Sequence, residues 1–130
     1  MRPRPGPAAG LSGKRILVVE DSPVVAPFTA DLLAELGCEV VGPAANLAVG
    51  RELIESEPID AALMDLHIRG ERVFPLCEAL DAQNVPFVLT SGYADWTMPD
   101  KWDNRARLQK PYTIDDVRAA LQGLFVPAAP

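Results

Sequence analysis

Short apolar runs alternate along this chain with segments whose apolar residues recur at three- and four-residue spacing, and the pair repeats five times. Lys14 to Val19 reads as a first strand. Ser22-Pro23 is a helix-start signal, with proline suited to the first helical position. Val25, Phe28, Leu32 and Leu36 then form one apolar face, and Gly37 ends the helix. Pro27 removes a backbone donor inside that stretch, so a kink or a late start is expected. A short strand over Glu39 to Gly42 follows, then a helix capped by Asn46 that runs to about Glu57 and stops before Pro58.

The third strand, Ala61 to Met64, carries no charge and ends abruptly in Asp65. A polar loop reaches Arg72, with Arg69, Glu71 and Arg72 expected to be solvated. Val73, Leu76, Cys77 and Leu80 then fall at helical spacing. Val85 to Thr90 is the fourth strand, opened by Pro86. Tyr93 to Asn104 has little periodicity, so any helix there is short or irregular. Arg107-Leu108-Gln109 is a weaker fifth strand. Thr113-Ile114-Asp115-Asp116 matches a capping box with Asp in the Glu/Gln place, and Val117, Ala120, Leu121 and Leu124 line the last helix. Strands alternating with helices imply an α/β fold with a parallel sheet covered on both faces.

With 130 residues, the chain suits one domain. It is 48% hydrophobic without an apolar run of membrane-spanning length, which points away from the membrane. A net charge of −6 and a pI near 4.7 argue against a dedicated nucleic-acid binder and leave room for a site that needs a cation. Cys38 and Cys77 are far apart and outside any metal-type spacing, so both read as buried, reduced thiols. Residues 1–13 lack the apolar core of a signal peptide and read as a disordered arm, as residues 126–130 do for a flexible tail. The domain proper is expected over 14–125, in the cytoplasm.

The candidate chemistry lies at strand ends. Asp65, the pair Glu20-Asp21 after the first strand and Lys110 after the fifth would share one crevice of an open parallel sheet. A carboxylate attacking a phosphoryl group meets charge repulsion, so it needs a divalent cation bridging it to the incoming oxygens. Glu20 and Asp21 supply the negative charge that would hold Mg²⁺, a hard ion that prefers oxygen. Lys110 would neutralise a phosphoryl oxygen or, in an empty site, pair with Asp65. A hydroxyl from Thr90 or Ser91 could donate to a further oxygen.

These residues resemble a response-regulator receiver domain, the CheY-like module of two-component signalling, over roughly Lys14 to Leu124. The resemblance rests on Ile16-Leu17-Val18-Val19-Glu20-Asp21, Leu63-Met64-Asp65, Val88-Leu89-Thr90-Ser91-Gly92 and Lys110-Pro111-Tyr112. It implies a flavodoxin-like (βα)5 fold with strand order 2-1-3-4-5. It also implies Asp65 as phosphoacceptor, and Asp21, Asp65 and the backbone carbonyl of His67 as direct Mg²⁺ ligands, with Glu20 acting through water. Ser91 takes the hydroxyl switch position, Lys110 the lysine of the family pattern and Pro111 its cis-proline.

Three departures stand out. Arg69 occupies the place of a usual proline and is followed by Gly70. Arg107 stands where the aromatic switch three residues before the lysine belongs. Tyr93 follows Leu89-Thr90-Ser91-Gly92, similar to single-domain receivers with a Phe-Ala-Thr-Gly-x-Tyr-like signature. Tyr93 is then either the aromatic reporter of phosphorylation or a loop aromatic packing on Trp96. His67 either flanks the pocket and limits water access, giving slow self-dephosphorylation, or merely fills solvent-facing space. Trp96 and Trp102 either anchor a partner or pack under the short segment.

The implied function is a phosphorylation-operated switch, not a classical enzyme. It would be charged by a histidine kinase or a histidine phosphotransfer protein and, lacking room for an output domain, would act on a separate protein or pass the phosphate on as a sink. The alternatives are an inactive receiver-like binding module and an aspartyl-phosphatase on a similar sheet. The phosphatase class typically has a second Asp where His67 stands, and a flavin site would need a phosphate cradle after the first strand.

Overall fold

The computed structural model describes residues 10–92 and 96–125. In chain order the elements are β1 (Arg15–Val19), α1 (Val25–Glu35), β2 (Glu39–Ala44), α2 (Leu47–Ser56), β3 (Ala61–Asp65), β4 (His67–Ile68), β5 (Glu71–Arg72), α3 (Phe74–Ala82), β6 (Phe87–Ser91), α4 (Asp100–Asp103), β7 (Ala106–Gln109) and α5 (Ile114–Phe125). The main sheet has order β2-β1-β3-β6-β7 with every neighbouring pair parallel. With the two-residue strands β4 and β5 set aside, this is the expected order 2-1-3-4-5.

The uniform apolarity of the central strands follows from cover on both faces. Leu17, Val19, Ala62, Met64, Phe87 and Leu89 point to one side, where Ile54 of α2 and Leu76, Cys77 and Leu80 of α3 complete the core. Their neighbours Ile16, Val18, Ala61, Leu63 and Val88 point to the other, against Leu33 of α1, Leu36 just after it, and Val117 and Leu121 of α5. From β1 the chain goes first to β2 on one side and then to β3 on the other. That reversal opens a crevice outside the strand C-termini, the usual ligand position in open α/β sheets.

The helix ends follow the expected chemistry. Asn46 Oδ1 accepts the Val49 N–H at 2.8 Å to start α2. At α5, Thr113 and Asp116 exchange side-chain to main-chain bonds of 2.8 and 3.2 Å. α1 starts late, at Val25, with Ser22 Oγ accepting the Val24 and Val25 N–H groups. Pro27 is then its third residue, where the missing N–H would lack an intrahelical partner anyway. Gly42-Pro43 and Lys110-Pro111 are cis, the second as expected.

Several expectations are corrected. The buried side of α1 is Ala26, Thr29 and Leu33, not Val25, Phe28 and Leu32. Phe28 is 47% exposed and packs its ring on Tyr112, while the smaller Thr29 faces inward and bonds the Tyr112 hydroxyl at 2.6 Å. Residues 10–13, expected to belong to a disordered arm, are structured. Gly10–Gly13 form a turn, and Leu11 is fully buried against α1 and α5, with its carbonyl accepting from Cys38 Sγ. The loop after Asp65 is exposed over residues 69–72, as expected of a solvated stretch, but it is folded into a β4–β5 hairpin. Its two-residue turn places Arg69 at φ 50° and Gly70 at φ 80°, the conformation that favours glycine second. Tyr93 lies outside the described residues. The weak segment does resolve into a single turn, α4, whose Trp102 is buried, stacked on Phe74 and tilted against Phe87. Packing therefore accounts for Trp102.

Candidate functional site

Asp65 is the last residue of β3, level with Thr90 on β6. Lys110 directly follows β7, and its main-chain N–H is fixed on the Ser91 carbonyl at 2.8 Å. The two strand ends thus bring the lysine to the carboxylate: Lys110 Nζ lies 2.7 Å from Asp65 Oδ2. It also lies 2.5 Å from Glu20 Oε1, a second partner that the sequence did not suggest. Glu20, next after β1, is only 4% exposed.

Each carboxylate is held by a main-chain donor. His67 N–H donates to Asp65 Oδ1 at 3.0 Å, Ser22 N–H to Glu20 Oε2 at 3.1 Å, and Arg69 N–H to Asp21 Oδ2 at 2.7 Å. The last bond, with Arg69 Nε on the Ala45 carbonyl at 3.2 Å, pins the hairpin across the crevice. One ligand atom from each of Glu20, Asp21 and Asp65 lies within 4.8 Å of the others. Three oxygen donors at that spacing fit a hard divalent cation such as Mg²⁺.

A cavity of about 740 Å³ contains the cluster, with Asp65, His67, Arg72, Gly92, Thr97 and Lys110 among its lining. Burial pushes the Glu20 carboxyl up. Burial works against the Lys110 ammonium, yet its bonds to Asp65 and Glu20 prevail and raise its pKa. The site is therefore an acidic cluster organised around one cation, able to exchange that cation's bonds for those of a metal and an anionic ligand. The cysteines take no part: burial raises both thiols, Cys77 to about 12.

The structure gathers Glu20, Asp21, Asp65, His67 and Lys110 in one cavity. Ser91 is fully buried at the end of β6, one residue before the cavity-lining Gly92, and Thr90 is buried beside it. Sequence reasoning missed Arg72, whose guanidinium donates to the Thr97 carbonyl and lies 5.1 Å from the centre of the Phe74 ring. The Arg69-Gly70 pair was the available signal, because a residue followed by glycine between two extended pairs marks a hairpin that would carry Arg72 back to the site.

The receiver-domain family of response regulators matches residues 16–122. Over 88% of its length the chain is similar to SdrG from Sphingomonas melonis Fr1, at 38% identity and a TM-score of 0.79, covering 98% of that chain. A CheY-like receiver domain protein from Methanospirillum hungatei JF-1 is 25% identical with a TM-score of 0.77, covering 88% of this chain and 94% of that one. The transcriptional regulatory protein TcrA of Mycobacterium tuberculosis H37Rv is 33% identical over an alignment of 129 positions that covers 92% of this chain and 49% of that protein. PdtaR of the same organism is 26% identical over an alignment of 113 positions that covers 84% of this chain and 55% of that protein. The chain thus spans about half the length of these curated relatives.

Proposed function

The chain belongs to the response regulator receiver domain family, and from that premise we propose that it is a phosphorylation-operated switch with Asp65 as its phosphoacceptor. One observation carries this reading: the Asp65 carboxylate sits at a strand end 2.7 Å from Lys110 and within 4.8 Å of the Glu20 and Asp21 oxygens. A histidine kinase or histidine phosphotransfer protein would be the donor. An Asp65 oxygen attacks the phosphorus, the O–P bond forms as the N–P bond to the donor imidazole breaks, and that imidazole leaves and takes up a proton. Mg²⁺ held by Asp21 and Asp65, with Glu20 and the His67 carbonyl around it, would offset the repulsion between the reacting anions.

In this reading Lys110 leaves Asp65 for a phosphoryl oxygen, and Ser91 supplies a hydroxyl to another. Ser91 and Tyr93 would then shift the two-state equilibrium of the face beyond β6. Arg107 supports this assignment indirectly, because no aromatic occupies the position three residues before Lys110. His67 would shield the phosphoryl group from water. No described helix is long and apolar enough to cross a membrane, which fits a cytoplasmic domain acting on a separate protein partner.

The test is intact-protein mass after incubation with Mg²⁺ and acetyl phosphate. A gain of one phosphoryl group is expected, abolished by EDTA and by Asp65→Asn. No gain, together with no binding of Mg²⁺ and beryllofluoride, would replace this reading with a receiver-like binding module that takes no phosphate.

A further inference from the structure

The cavity around Asp65 carries a second cation on its wall. Arg72 lines it together with Lys110. It comes from β5, directly opposite His67 on β4, so the two side chains leave the hairpin on one face. Through the His67 N–H bond to Asp65 Oδ1, that face starts at the carboxylate itself. The Arg72 guanidinium is held by the main-chain carbonyl of Thr97, which lines the cavity from the segment leading into α4. Arg72 therefore ties two walls of the cavity together, and the tie is to a neutral acceptor.

A phosphoryl group placed in this cavity changes that balance. It offers anionic oxygens, which add to the hydrogen bond an attraction between full charges that the uncharged Thr97 carbonyl cannot supply. The planar guanidinium fork also suits phosphoryl oxygens better than a single carbonyl. The hairpin backbone would stay in place during such an exchange, fixed by Arg69 N–H on Asp21 and by Val73 N–H on the Leu66 carbonyl at 3.0 Å. Beyond Thr97, the segment is fastened separately to α3 by Lys101–Glu78 and Arg105–Asp81, each at 2.9 Å. Trp96 keeps its packing on the core and the Arg107 guanidinium 5.1 Å from its ring centre, so the contact given up is the one between the hairpin and the Thr97 carbonyl.

We propose that Arg72 is a second cationic partner of the phosphoryl group on Asp65, exchanging the Thr97 carbonyl for phosphoryl oxygens and so breaking the contact between the hairpin and the segment that carries Trp96. This rests on the phosphoacceptor reading above. It puts Arg72 in direct contact with the acyl phosphate and supplies a route from the site to Trp96 and to Trp102, which stacks on the Phe74 ring beneath the Arg72 guanidinium.

Beryllofluoride serves as the phosphoryl probe, its binding followed by fluorine NMR at saturating Mg²⁺, with Mg²⁺ affinity measured separately by calorimetry. Relative to wild type, Arg72→Ala is expected to weaken beryllofluoride binding by about fivefold to tenfold, the loss of one charge-assisted contact net of the Thr97 bond. Mg²⁺ affinity should not fall, because removing a cation from the wall cannot disfavour a cation. Arg72→Lys should lie between the two. Tryptophan emission of the wild type should shift on beryllofluoride binding, and that shift should shrink in Arg72→Ala.

Unchanged beryllofluoride affinity in Arg72→Ala, with the wild type binding normally, overturns the role of Arg72 alone. Parallel loss of Mg²⁺ and beryllofluoride marks a collapsed cavity and overturns it too, as does a wild type that binds with no change in emission. A wild type that binds no beryllofluoride overturns both this proposal and the phosphoacceptor reading.

Discussion

Replacing Lys110 with Met keeps most of the aliphatic stem and removes the charge that holds Glu20 and Asp65 together. Two charge-assisted bonds, at 2.5 and 2.7 Å, are lost, each with a net value of about 1.5–3 kcal/mol. What remains is a group of three acids whose ligand atoms lie within 4.8 Å. At an effective dielectric constant of about 20, each like-charge pair at that distance repels by roughly 3.5 kcal/mol. Glu20 caps this cost by taking up a proton, since burial already pushes its carboxyl up. A net destabilisation of about 3 kcal/mol follows, in the range for breaking a buried pair. For a domain of this size that lowers the melting temperature by roughly 10 °C. Mg²⁺ should reverse much of the loss. At a hundredfold excess over its dissociation constant a ligand stabilises by about 2.7 kcal/mol, and in the variant it no longer competes with Lys110 for the same oxygens. The assay is thermal unfolding of both proteins in EDTA and in saturating MgCl₂, with NaCl matched for screening. The Mg²⁺-induced rise should be larger in Lys110→Met than in wild type. An equal or smaller rise, or a metal-free variant as stable as wild type, would refute the view that one lysine neutralises this cluster.

The sheet and the acidic site were legible in the sequence because both are written locally. β3 and β6 are buried over their whole length, so each reads as an unbroken apolar run, and a charge at the end of such a run can only lie at the sheet's edge. The charged residues just past β1 and β7 and at the end of β3 then converge by topology alone. The same logic fails where the deciding partner is distant. α1 has apolar residues on two overlapping faces, and the choice between them is made by Tyr112, whose hydroxyl meets Thr29 across 83 positions of sequence. Counted as polar, Thr29 could not be recognised as core, although it is 1% exposed. Leu11 was lost for a similar reason, as a lone leucine in a Gly, Pro and Ala stretch with no period to join.

Within the site, the dividing line was between identity and pairing. Strand-end position identified Asp65, Glu20, Asp21 and Lys110, but the choice of Glu20 as a second partner for Lys110 depends on how closely β1 and β3 approach each other. The hairpin is a sharper case. Strands of two residues are too short for any periodicity to register, and Arg69 adopts a positive φ that its residue type does not favour. Its main-chain N–H and that of His67 nevertheless reach the Asp21 and Asp65 carboxylates. A stretch that reads as solvated charge thus builds part of the cavity wall, and Arg72 reaches the site only through it.

Two further predictions test the supports of the site. Tyr112→Phe removes the 2.6 Å partner of the buried Thr29 hydroxyl and should cost about 1–2 kcal/mol in urea unfolding. Adding Thr29→Val should recover part of that cost, and strictly additive effects would show that the pair is not coupled. The second concerns the strap that fixes α4 to α3. Arg105 bonds both oxygens of Asp81, at 2.9 and 3.0 Å, and these bonds hold the Asp81 carboxyl below its usual 3.8. A carboxyl lowered in the folded state contributes stability that is fully present above the unfolded pKa and lost as pH falls through the folded one. Both side chains are about 30% exposed, so the pair is worth no more than about 1 kcal/mol at neutral pH. Asp81→Asn should therefore be slightly less stable than wild type at pH 7, and the gap should narrow as the pH falls through the lowered pKa of the folded state and wild-type Asp81 takes up a proton. Arg105 lies 5.1 Å from the Trp102 ring centre, so tryptophan emission during denaturant unfolding at each pH reports the comparison. A gap that stays constant from neutral to acidic pH would mean that the strap owes its stability to packing on Trp102 and Phe87 and not to the carboxylate.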